Sequence, residues 1–398
     1  MHKFAWVGVS WLVASVLLFL SVWIVLSPPN FFWLQLAVGA PEVSPLLLLM
    51  SAIALIATLF FSRWRHAWSP RLLLAVLTTA LVLSSLPLLQ QPKAVVAADR
   101  SMAIAFGPSL KTATTPTFSW LTSVRGFQIA DVRQSERIPF AKPDGSSLAL
   151  KLYQPPAAGP HSAPHPAPHP ALVILYGGGW TRGDASENEA FGRFFAARGY
   201  VVVAIEYRLA PEYRYPAQVE DVSAALAFIR DRAADYEIDP ARLSLVGWSA
   251  GAHLAMLEGF QSTEGIQSIV NFYGPVDLAA GYANPPVPDP LQVQQVLKAF
   301  FDGTPAELPD AYAEASPITY VKAATPGSLP PVLLVYGGRD HIVESKYGQS
   351  LYEALLKSGN TAVWVHIPWA EHAFDKIFNG VSNQLALHFV ERFLAHTL

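Results

Sequence analysis

Leu243-Ser244-Leu245-Val246-Gly247-Trp248-Ser249-Ala250-Gly251 is a short apolar run that ends on a G-x-S-x-G pentapeptide, and residues 253–258 continue it as a helical stretch. A strand, a sharp turn and a helix in that order lift the central serine above a sheet. Gly247 and Gly251 belong there because the turn is strained, and side chains at those positions would collide with the adjoining strand and helix. Outward from this turn, short β-branched runs alternate with longer helical patterns. Residues 172–176, 201–206, 243–247, 269–273, 332–336 and 362–367 read as strands. Residues 188–198, 217–233, 345–358 and 383–397 carry apolar side chains at spacings of three and four. The alternation predicts a mostly parallel sheet flanked by helices on both faces, which explains strands that are apolar throughout. Residues 138–140 and 148–153, on either side of Pro143-Asp144-Gly145, read as a leading antiparallel hairpin.

A serine hydroxyl is un-ionised at neutral pH, so a nucleophilic Ser249 needs a base, and the base needs an orienting carboxylate. Of the eleven histidines, His372 lies in the loop Trp369-Ala370-Glu371-His372-Ala373-Phe374 between the last strand and the last helix. His341 is the second candidate; His366 falls within a strand and His253 one helical turn beyond Ser249, both structural positions. Asp340, in Tyr336-Gly337-Gly338-Arg339-Asp340, ends the strand before the one that leads to His372, and adjacent strand ends converge. Asp277 competes for the role, while Asp375 is too close along the chain to His372 to orient it easily. Upstream, Tyr176-Gly177-Gly178-Gly179-Trp180 follows an earlier strand; its glycine N–H groups can approach a substrate oxyanion, the competing reading being a flexible turn.

The chain has 398 residues, 52% hydrophobic and 14% charged, with mean hydropathy +0.29. That composition excludes disorder and points to a membrane part. A net charge of −3 removes nucleic acid as a partner, and the lack of cysteine removes disulfides and thiolate chemistry. Charge-free runs at 4–26, 45–61 and 72–89 each approach or reach the length of a spanning helix, so three transmembrane helices are expected within residues 1–90. A cleaved signal peptide competes for the first run, which exceeds the usual signal core. Lys3, Arg63, Arg65 and Arg71 place the N-terminus and second loop in the cytoplasm, with Trp64 and Trp68 at an interface and only Glu42 in the first loop. Three crossings then put the C-terminal part on the extracytoplasmic side. Residues 91–135 read as a tether, 136–398 as the catalytic domain, and the Pro-rich segment 281–328 as a lid or acyl-pocket insertion. The stiff loop 155–170 holds His161, His165 and His169 without an acidic partner, so no metal is expected.

The order Ser249, Asp340, His372, with the glycine loop upstream, resembles the α/β-hydrolase fold. More narrowly it is similar to the hormone-sensitive-lipase-like and acetyl-esterase branch, through Gly177-Gly178-Gly179-Trp180, Glu206-Tyr207-Arg208-Leu209-Ala210-Pro211-Glu212, Gly247-Trp248-Ser249-Ala250-Gly251, Gly338-Arg339-Asp340-His341-Ile342-Val343 and His372-Ala373-Phe374. A looser similarity is to prenylcysteine methylesterases. The resemblance spans about residues 136–398 and implies a serine carboxylic-ester hydrolase, acting through an acyl-enzyme on short- to medium-chain or lipid-derived esters and needing no cofactor. It also implies an oxyanion hole formed by the N–H groups of Gly178, Gly179 and Ala250. One departure stands out: the branch usually has histidine where this chain has Tyr176, a position that braces the glycine loop. An amidase or peptidase of the same fold is the nearest alternative, and a non-catalytic ligand-binding receptor on a hydrolase scaffold is another.

Overall fold

The computed structural model describes residues 2–62, 69–108, 111–156, 168–261 and 265–398. Arg63, Arg65, Trp64 and Trp68, like His161 and His165, therefore lie outside the described residues. The chain opens with four helices, α1 (His2–Val22), α2 (Phe31–Glu42), α3 (Ser44–Ser62) and α4 (Ser69–Phe106). Ala14 and Leu17 of α1, Leu47 of α3 and Leu73, Leu77 and Ala80 of α4 form a small core of their own. Within it the Ser21 and Ser84 hydroxyls satisfy each other at 2.8 Å. Asn30 caps α2, its Oδ1 accepting from the N–H groups of Phe32 and Trp33.

Among the described residues the three expected spans are not clearly formed. By length and composition one helix, Arg71–Phe106, can cross a membrane, or two if Phe31–Glu42 and Ser44–Phe60, joined at a 73° bend, count as one broken span. The first apolar run forms α1, which ends at Val22, short of the Leu26 expected from the sequence. The second run does not stand alone, since it is the far arm of the bent pair. The expected boundary near residue 90 also shifts. Helix α4 runs through Pro87 and Pro92 to Phe106, because Ala94, Ala98 and Met102, four residues apart, dock on the main core. Ser101 Oγ accepts the Trp364 N–H at 2.8 Å, and Arg392 pairs with Asp99. Farther on, Glu391 accepts the N–H groups of Thr114 and Thr115, both at 2.9 Å, so this part of the expected tether lies folded against the domain. Glu42, expected in the first loop, instead ends α2 and is buried, its carboxyl accepting the Ser382 N–H at 2.8 Å and the Ser382 hydroxyl.

After α5 (Trp120–Arg125) come strands β1 (Arg133–Gln134), β2 (Ile138–Ala141) and β3 (Leu148–Gln154). The alternating body follows as β4 (His169–Leu175), α6 (Glu189–Ala196), β5 (Val201–Ile205), α7 (Ala217–Asp231), β6 (Ile238–Trp248), α8 (Ala250–Gln261) and β7 (Ile266–Phe272). Four short helices, α9 (Leu278–Ala283), α10 (Val293–Phe301), α11 (Pro309–Glu314) and α12 (Pro317–Ala323), make the insertion. The chain closes with β8 (Val332–Gly337), α13 (Ser345–Lys357), β9 (Ala362–Ile367) and α14 (Val381–Thr397). The sheet order is β1-β3-β5-β4-β6-β7-β8-β9, with β2 also on β3; pairs from β5 to β9 are parallel and the leading strands antiparallel. Both faces are covered, so Val201 to Ile205 and Val332 to Tyr336 are buried without alternation. Strands β6, β8 and β9 all run the same way, which brings the loops after them to one edge of the sheet.

Candidate active site

Ser249 sits between β6 and α8 with φ 51°, the left-handed region that non-glycine residues rarely occupy. A Cβ on Gly247 would lie 2.4 Å from Ala252 N, and one on Gly251 would lie 2.2 Å from Leu175 O, so both flanking positions require glycine. The turn is held by the Ser249 N–H on Phe272 O at 2.9 Å. Helix α8 begins at the next residue, directing the positive end of its dipole toward charge that builds beside the serine.

His372 reaches back to this turn from the loop after β9. Its Nε2 is 3.0 Å from Ser249 Oγ and its Nδ1 is 2.7 Å from Asp340 Oδ2. A carboxylate at Nδ1 keeps the proton there and leaves Nε2 free to accept the Ser249 hydroxyl. The other oxygen of Asp340 accepts the N–H groups of Ile342 and Val343 at 2.8 and 2.7 Å, so the turn after β8 fixes the carboxylate before the imidazole meets it. Both Asp340 and His372 are 6% exposed, and in such a site hydrogen bonds and charges act with little screening.

The other candidates have separate partners. His341 turns its Nδ1 to Glu371 at 2.6 Å; burial pulls its pKa down, but the bond and charge of Glu371 more than offset this, leaving it raised. Asp277 caps α9 through the Ala280 N–H at 2.9 Å. Asp375 accepts the Tyr273 hydroxyl, and burial raises its carboxyl, while the Tyr273 ring packs 4.4 Å from that of His372. Buried His253 bonds Ala315 O at 2.6 Å through Nε2, and desolvation lowers its pKa to about 4. His366 stacks on Trp364. Glu371 is the residue that sequence reasoning passed over: almost fully buried, it also takes the His372 N–H at 3.0 Å and so splints the two loops together. Its adjacency to His372 was the only local signal.

The glycine loop has positive φ at Gly178 (121°) and Gly179 (61°), and a Cβ on Gly178 would fall 2.1 Å from Arg182 O. Beneath it, Tyr176 stacks on Tyr207 at 4.4 Å, and each hydroxyl donates to the other's carbonyl, at 3.3 and 2.9 Å. The phenol at the departing position thus supports the loop through its own pair of bonds. Arg208, the next residue, is clamped by Asp221 at 3.0 and 2.9 Å, and Trp180 stacks on Phe300 of the insertion at 4.3 Å.

Two cavities meet at Ser249 and Gly179. One, of about 60 Å³, is bounded by Ala250, Trp180 and insertion residues such as Val293 and Leu297. The other, of about 510 Å³, contains His372, Gly177 and Gly178, and its far wall is α2, through Phe31, Leu34, Gln35 and Val38. Nothing in the local sequence of α2 marks it as part of a site; its docking is tertiary.

Comparison with known proteins gives the class first. The bacterial heroin esterase structure is 24% identical with a TM-score of 0.56, covering 67% of this chain and 84% of that one, and this likeness establishes an α/β-hydrolase fold. The BD-FAE family model matches residues 160–355, a span that takes in Ser249 and Asp340 and stops short of His372. Among curated proteins, the chain is similar to esterase LipQ of Mycobacterium tuberculosis, 29% identical over 256 residues, which are 61% of this chain and 58% of that protein. It is similar also to the probable carboxylic ester hydrolase LipM of the same organism, 30% identical over 239 residues, or 56% and 53% of the two chains. The chain thus spans little more than half the length of these relatives.

Proposed function

We propose that this protein is a serine carboxylic-ester hydrolase that works through an acyl-enzyme on short- to medium-chain or lipid-derived esters. The observation that carries the reading is the unbroken relay from Asp340 to His372 at 2.7 Å and on to Ser249 at 3.0 Å, beside a glycine loop. In this mechanism His372 takes the Ser249 proton as Oγ attacks the ester carbonyl, and the N–H groups of Gly178, Gly179 and Ala250 hold the oxyanion. Asp340 keeps the imidazole in the required tautomer and stabilises the imidazolium. Collapse of the tetrahedral intermediate expels the alcohol with the proton from His372, and water, activated by the same imidazole, releases the acid. Losing one oxyanion donor costs about 3 kcal/mol of barrier in comparable enzymes, so the glycine loop ranks close behind the three side chains.

The N-terminal helices, in the same proposal, hold the enzyme in a membrane. Large apolar side chains on them face outward, Leu12 and Ile56 at 66% exposed, a surface that water does not favour and lipid does. Because Arg63 and Arg65 precede α4 and Arg71 lies in its first turn, its crossing puts the catalytic domain on the extracytoplasmic side whatever the number of spans before it. The helix is roughly 57 Å long, so its second half is free to lie on the domain. The test is hydrolysis of p-nitrophenyl acetate by the full chain, with labelling by a fluorophosphonate. Both should be present in the parent and absent in Ser249→Ala; a labelled or active alanine variant would remove Ser249 from the reaction.

A further inference from the structure

We propose that the preferred esters join a short acyl group to a bulky lipophilic alcohol, and that α2, outside the catalytic domain, forms the wall on which that alcohol lies. This rests on the ester-hydrolase reading above and concerns which half of the ester goes where. The leaving oxygen must receive its proton from His372 Nε2, so the alcohol occupies the side of Ser249 that His372 faces. His372 lines the cavity of about 510 Å³ and is not part of the cavity of about 60 Å³, which is reached past Ala250 and Gly179. The acyl group therefore enters the smaller space. The alcohol side is thus about eight times as roomy as the acyl side.

The chemistry of the larger cavity follows from its walls. Phe31, Leu34 and Val38 of α2 line it together with Trp248, Leu291 and Ile342. The ionisable groups on its lining besides His372 have partners: Lys376 is paired with Glu187 at 2.5 Å, the Arg182 guanidinium lies over the Phe31 ring at 5.2 Å, and buried Asp375 accepts the Tyr273 hydroxyl. An alkyl or ring alcohol is desolvated there without burying an unpaired charge. Phe31 and Phe32 at the start of α2 are exposed, which continues the cavity's apolar wall to the outer surface of the helices. Each alcohol methylene buried against this wall should raise kcat/KM about fourfold, the equivalent of about 0.8 kcal/mol, until the cavity is filled.

The experiment uses the full chain in detergent micelles and the isomeric pair octyl acetate and ethyl octanoate, which have the same formula and so nearly the same partitioning. Ethyl acetate is the common reference. Octyl acetate should exceed ethyl octanoate in kcat/KM by tenfold or more. Gln35→Trp and Val38→Trp, which fill the α2 side, should each lower the octyl-to-ethyl acetate ratio at least fivefold; Gln35 is exposed, so its variant does not depend on repacking a core. Equal or faster hydrolysis of ethyl octanoate, or of the methyl ester of a prenylated cysteine, would overturn the assignment, as would ratios that both variants leave unchanged. A parent that fails on ethyl and p-nitrophenyl acetate alike would instead bring down the hydrolase reading itself.

Discussion

The helices before residue 107 and the sheet after residue 132 solve the same composition in opposite senses. In the sheet, Val332, Leu333, Leu334 and Val335 are all fully buried; along the helices Leu12, Phe32, Ile53, Ile56 and Leu89 stand at 59% exposed or more. Among the described residues, the large apolar side chains that are exposed precede Arg125, apart from Val287 on the insertion and Leu356 on α13. One region is sorted for water and the other for an apolar surround. Their joint is neither. It combines the apolar face of Ala94, Ala98 and Met102 with polar ties, Glu42 with Ser382, Asp99 with Arg392, and Thr114 and Thr115 with Glu391. Apolar patterning decides what each region faces, and a few polar side chains help to fix how the two are registered.

The sharpest division is chemical. His372→Ala should reduce turnover of a water-soluble acetate by about 10⁴-fold or more while leaving detergent-bound mass and melting temperature near the parent's; a modest loss would show that another group serves as base. A second test separates the regions by pH. His253 has a folded pKa of about 4 against a normal 6.5, so the unfolded chain takes up the proton first and stability is lost as pH falls between those values. The loss should reach about 3 kcal/mol by pH 4, seen as a falling melting temperature of the catalytic domain, and His253→Gln should flatten that limb. If the parent melts alike at pH 7 and pH 4.5, His253 is not buried in its neutral form. At the joint, Glu42→Ala strips the Ser382 N–H and hydroxyl of their acceptor and should cost about 2 kcal/mol, read by chemical denaturation in detergent. Smallest is Ser101→Ala, which leaves the Trp364 N–H on the β9 edge without its cap, for about 1 kcal/mol; no change would mean that water substitutes there.

Much of the catalytic half was legible because its signals are local. Strand β9 was read with its observed ends, since a β-branched run between turns leaves little choice, and Ser249, Asp340 and His372 each stand in a motif at a strand end. Strand β6 was read too short at its start because Asp239, Pro240 and Arg242 interrupt the apolar pattern that the ladder nevertheless continues through. The helical half was harder. Hydropathy counts apolar residues and cannot see the 73° bend that makes α2 and α3 one unit, nor that α2 docks on the catalytic cavity. Two local signals do mark it: Asn30 after Pro28-Pro29 at the start of α2, and the spacing of Ala94, Ala98 and Met102, a helix face in place of the expected tether.

Ser382, which holds Glu42 of α2, also accepts the Trp369 Nε1–H at 2.9 Å, and Trp369 opens the loop that carries Glu371 and His372. Three side chains thus link the N-terminal helices to the loop that carries the imidazole. Under the proposal that those helices sit in a bilayer, refitting them to a different thickness would pass through the reaction itself, and grafting the C-terminal half onto a foreign anchor should not be neutral.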